Sequence, residues 1–200
     1  METYVWSSLP PDARARISRL ELFVAPNSVE DASDGTATEN DDGTSWTLSL
    51  DYGEAESALI RKGREDVVTF DEVIAHELGH VLSLNQDQRT DEEDLDTYAD
   101  DESPFTETAY LNRFYQDFWN GNFQNRDDFV TEYAATDPVE DFAESFAYFV
   151  LSPKPTDGTE KAEKLRFFYD YPELVKDREF MRRNLSSVTG SPRPLQPRNQ

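Results

Sequence analysis

Across SWTLSLDY, residues 45 to 52, Trp46, Leu48, Leu50 and Tyr52 alternate with polar or small neighbours, the period-two pattern of a half-buried strand. A second alternating run, Leu20 to Val24, ends the segment ARISRLELFVAP and is closed by Pro26 and Asn27. It reads as a strand, or as a helix passing into one. DVVTF, residues 66 to 70, is a short β-prone run that predicts a further strand leading into VIAHELGHVLSL, residues 73 to 84. There the period changes: Ile74, Leu78 and Val81 share one helical face, and Thr69 and Glu72 stand at capping-box spacing, which starts that helix just before Asp71.

Downstream the apolar period stays helical. TAYLNRFYQDFW, residues 108 to 119, puts Leu111, Phe114, Tyr115 and Phe118 on one stripe, which reads as core. TDPVEDFAESFAYFVL announces a long helix with Asp137 as N-cap and Pro138 in its first position. EKAEKLRFFYDYPELVKDREFMRRNL predicts another, interrupted near Pro172. The polar stretches 27–44 and 86–104 read as acidic surface loops, and the Pro-rich tail 189–200 as disordered. We expect one α+β domain over residues 1–200: a small twisted β-sheet packed on the HELGH helix, followed by a mainly helical C-terminal half.

The net charge of −23 changes the picture by exclusion. Nucleic-acid grooves and anionic membrane surfaces both need clustered Lys and Arg, so neither is an expected partner. Only 5 of the 19 basic residues are Lys, and acid excess with scarce Lys suits high salt, where self-repulsion is screened. The opening METYVWSSLPPDARARISRLELF lacks a signal-peptide apolar core, and no apolar run is long enough to span a bilayer. We therefore expect a chain without a membrane segment, monomeric, and suited to a secreted or cell-surface setting as a trimmed mature domain.

With no Cys, a metal must sit on His, Asp, Glu or Tyr. The chain has two histidines, and both lie in HELGH. His76 and His80 are one turn apart on one helical face, with Glu77 beside them and the apolar residues behind. Two imidazoles so spaced can grip one Zn²⁺, and Glu77 sits where it can take a proton from a metal-bound water. A third ligand has to come from elsewhere. Glu140 and Glu144, one turn apart on the later helix, are equal candidates on spacing, while Asp137-x-x-Glu140 also has capping-box form. The acids between 91 and 102 could bind calcium, although the ligand spacing of a calcium loop is not recognisable there.

HELGH together with EYAATDPVEDFAESFAYFV, residues 132 to 150, resembles the peptidase domain of anthrax toxin lethal factor and related gluzincin metallopeptidases. That family carries HExxH, then a Tyr seven residues ahead of a Glu that opens an FAE-x-F helix. The resemblance implies a zincin-like, two-lobed fold, with one zinc on His76, His80 and Glu140 and with Glu77 as general base. It further implies that Tyr133 stabilises the tetrahedral intermediate and that Glu144 supports a zinc-bound histidine. The implied activity is metalloendopeptidase cleavage of peptide or protein substrates. Such peptides commonly dock by adding a strand to a sheet edge, for which TSWTLSLDY is the candidate. The competing readings are a zinc-binding module without turnover and an acidic interaction protein with incidental histidines.

Overall fold

A computed structural model describes residues 1–24, 34–53, 64–92, 96–100, 103–122 and 125–185, with backbone alone for 64–69. Two short helices, α1 (Glu2–Ser8) and α2 (Pro11–Arg14), precede the strands β1 (Ile17–Phe23), β2 (Gly35–Glu39) and β3 (Trp46–Asp51). The long helix α3 (Arg64–Ser83) follows. Then come α4 (Tyr110–Phe118), α5 (Pro138–Leu151), α6 (Glu160–Phe167) and α7 (Pro172–Asn184), the last two parted by a 3-10 turn at Phe168–Asp170. The class is α+β, with a small sheet and a mostly helical remainder. Among the described residues, no helix is long and apolar enough to cross a membrane.

The sheet is mixed, in the order β1-β3-β2, with β1 parallel and β2 antiparallel to β3. Trp46, Leu48 and Leu50 are buried, as their alternation requires. SWTLSLDY is thus the central strand, not the edge expected for peptide docking; β2 holds one edge. β2 itself lies inside the stretch 27–44 that reads as a loop. GTATE has no apolar residue larger than Ala, but its Thr36 and Thr38 suit a pleated strand, and an edge strand needs no hydrophobic alternation when its partner supplies the core.

DVVTF forms helix, not strand. α3 begins at Arg64, ahead of the capping box at Thr69 and Glu72. β-branched residues cost a helix only a few tenths of a kcal/mol each, while every residue of extension adds a backbone hydrogen bond. The 3-10 turn Gln86–Gln88 and two isolated bridges, Arg89 with Phe105 and Ala99 with Pro104, give the acidic stretch 86–104 more order than a bare loop. Arg89 anchors it, with bonds of 2.8 and 2.7 Å to the two oxygens of Asp100 and its guanidinium over the Phe105 ring. The tail 189–200 lies outside the described residues.

α3 is the spine of the molecule, with Ile74, Ala75, Leu78 and Val81 fully buried. On one side it supports the sheet, and on the other it crosses α5. Gly79 makes that crossing close, since a Cβ there would sit 2.9 Å from the Ala143 Cα. A knot of rings (Phe114, Phe142, Phe146, Phe149, Phe167, Phe168) locks α4, α5 and α6 behind it in edge-on and stacked contacts. The far end of α5 is capped from α7: Arg178 donates to the carbonyls of Phe149 and Ser152, and Arg182 to that of Val150.

Candidate metal centre

His76 and His80 leave α3 one turn apart with their Nε2 atoms 3.0 Å from each other, and both rings are buried. The third group comes from α5, whose start is set by its own sequence. Asp137 accepts from the backbone N–H groups of Val139 and Glu140 at 2.8 and 3.0 Å, and Pro138 takes the first helical position. Glu140 is thereby held in the first turn, its Oε2 3.3 Å from His76 Nε2 and 3.5 Å from His80 Nε2. Glu140 Oε2 is buried without a hydrogen-bond partner.

These residues fit a zinc ion. Bonds of about 2.0–2.1 Å in a tetrahedral site put neighbouring ligand atoms about 3.3 Å apart, and the three separations here are 3.0, 3.3 and 3.5 Å. Among the described residues, His76, His80 and Glu140 are the group able to hold a metal in this way. Burial alone would lower the basicity of His76, but Glu140 and Glu144 outweigh it and push its pKa up to about 9. Burial likewise works against the Glu140 carboxylate, yet the two imidazoles hold its pKa well below the usual carboxylate range. Glu140 and His76 each favour the other's charged form, and a bound cation would take the place of the His76 proton.

Glu77 is buried beside the histidines. Its carboxyl is pushed up by burial, with His76 and His80 pulling the other way, and it accepts from the Ala37 backbone N–H of the edge strand. Gly35 lies directly against it, since a Cβ there would meet Val73 Cγ1 at 2.6 Å and Glu77 Oε1 at 2.9 Å. Behind His76, Glu144 Oε1 is 2.8 Å from Nδ1. Tyr133 stacks on the His76 ring at 6.0 Å between centroids and remains 42% exposed. Partial burial first, and then the charge of Glu140 and a hydrogen bond to it, push the phenol pKa up.

All six residues singled out in the sequence therefore meet in one place. The Glu140/Glu144 tie on spacing is broken by position: Glu140 faces both Nε2 atoms, and Glu144 stands behind one ring. A model of the family described as "Putative zinc-binding metallo-peptidase" matches residues 32–187. The chain belongs to this metallopeptidase family. Neither a curated relative nor a solved structure matches it.

The matched span of the metallopeptidase runs from just ahead of β2 to the end of α7, and so holds the whole cluster. One of its polar residues escaped the sequence reading. Thr131, buried, donates from Oγ1 to Glu144 Oε2 at 2.8 Å and accepts from the Ala134 N–H at 3.0 Å. The signal available for it was a threonine three residues ahead of an N–H it could cap, a weak pattern with many false positives. Of the acids considered for calcium, Glu93, Asp94, Asp101 and Glu102 lie outside the described residues.

Proposed function

We propose that this metallopeptidase is a zinc-dependent endopeptidase of the gluzincin type, zincin-like in fold, with one zinc per chain held by His76, His80 and Glu140. The observation that carries the reading is the buried Glu77 carboxylate, beside that donor set and under the edge of β2. A purely structural metal site has no use for such a base and closes its fourth position with protein. Bound zinc supplies a Lewis acid that polarises a carbonyl and acidifies water. Glu77 takes a proton from water as it attacks the scissile carbonyl and returns it to the leaving amine. The Tyr133 hydroxyl donates to the carbonyl oxygen as negative charge builds there. Glu144 keeps His76 in the tautomer with Nδ1 protonated, leaving the Nε2 lone pair for the metal.

The likeness to the lethal factor peptidase rests on Tyr133 standing seven residues ahead of Glu140 and on the FAESF helix entry. A substrate peptide would extend the sheet along the free side of β2, where the Ala37 N–H now reaches Glu77. The charge of −23 favours the approach of basic or neutral peptides, an advantage that salt removes. The test is cleavage of a mixed peptide pool read by mass spectrometry, for wild type and Glu77→Gln at equal zinc content. Wild type cleaves, and Glu77→Gln loses about 10²–10⁴-fold in rate. Equal behaviour of the two proteins would favour a zinc-binding module without turnover.

A further inference from the structure

Thr131 sits ahead of α5 on the segment that carries Tyr133, and its hydroxyl is spent twice. A carboxylate offers only lone pairs, so the single proton of Thr131 goes to Glu144 Oε2 at 2.8 Å. The threonine oxygen is then left to accept from the Ala134 N–H at 3.0 Å. With one Glu144 oxygen occupied by Thr131, the other faces His76 Nδ1 at 2.8 Å. Tyr133 lies between the two ends of the Thr131–Ala134 turn. From its other side, the Thr136 N–H and hydroxyl both donate to its carbonyl, at 3.0 and 2.7 Å.

We propose that Thr131 is a positioning residue that ties the Tyr133 turn to the metal ligand His76 through Glu144; this rests on the zinc-peptidase reading above. One side chain thereby aims two groups of the same site: a ligand imidazole from α3 and a phenol from the entry to α5. A turn-capping threonine needs only the Ala134 contact, which a surface position would serve equally well. Burying the hydroxyl against the carboxylate behind a ligand is what links the turn to the metal.

The experiment measures zinc affinity by competition with a chromophoric chelator, together with kcat and KM at saturating zinc, for wild type, Thr131→Val and Thr131→Ser. Valine keeps the shape and removes the hydroxyl; its zinc affinity falls about 10–100-fold, the usual cost of losing a group behind a ligand. Its kcat falls more than its KM rises, because Tyr133 acts only once charge has developed. Serine restores both. If valine does not fold, Thr131→Ala replaces it, and its zinc affinity must fall short of that of serine. Wild-type zinc affinity in the valine or alanine protein, or a serine protein as weak as either, overturns the proposal. The peptidase reading fails separately, when wild type binds zinc tightly and cleaves nothing; the zinc arm still judges the link from Thr131 to His76.

Discussion

Glu140 and Asp141 are neighbours on the first turn of α5, both carboxylates, and they meet opposite environments. Asp141 is fully buried and satisfied from within: Lys164 Nζ lies 2.7 Å from Oδ2, the Trp119 indole N–H donates to the same oxygen at 2.9 Å, and Ser145 donates to Oδ1. Even so, burial raises its pKa to about 6 against the pull of Lys164. Glu140 faces two imidazoles and keeps a buried oxygen without a hydrogen-bond partner. Where the protein supplies its own cation, the carboxylate anchors α6 to α5. The carboxylate that instead faces imidazoles, which are cations only while protonated, stands where a metal fits.

Replacing the internal cation should have the largest effect. Lys164→Met strands Asp141 in the core and should cost about 3–5 kcal/mol of stability, read as a drop in denaturant midpoint equally large with and without zinc. Lys164→Met combined with Asp141→Leu should recover most of it, since an apolar pair of similar volume removes the stranded charge. Glu140→Ala should do the reverse. Its zinc affinity falls by more than about a hundredfold, beyond the loss expected for a group behind a ligand, while the zinc-free protein gives up only its Glu140–His76 pairing and loses far less stability than Lys164→Met.

Gly79→Ala comes next, because it tests the spacing that would let α3 and α5 share a metal. The new methyl meets Ala143 at 2.9 Å, an overpacking that should cost about 1–3 kcal/mol and weaken zinc binding as Glu140 is pushed from the histidines. The smallest effect is on pH. In the zinc-free protein the His76 pKa is raised from 6.5 to about 9, so the stabilisation from its proton is complete below 6.5 and is lost as pH rises through 9. Zinc needs the neutral ring, so binding at pH 7.5 should release a proton, seen as a buffer-dependent calorimetric enthalpy. Affinity should rise with pH by up to about tenfold per unit until near 9.

The two neighbours also mark what the sequence makes legible. HELGH is local: helical period alone brings His76, Glu77 and His80 together, and α4, α5 and the break at Pro172 likewise follow from spacing and capping. Lys164 is the opposite case. In EKAEKLRF it reads as one more surface charge, and only the packing of α6 on α5 buries it against Asp141. Long-range pairing hides β2 in the same way, since GTATE becomes a strand because β3 lies beside it. Glu140 and Glu144 were equal on one helix face until α3 crossed that helix at Gly79.

The most direct measurement is zinc per chain by elemental analysis, after zinc is supplied and excess removed, in wild type, Glu140→Ala and Glu144→Ala. Wild type should carry about one zinc, most of it lost in Glu140→Ala and held more weakly in Glu144→Ala. A wild type without zinc, or a Glu140→Ala protein that retains it fully, would contradict the assignment.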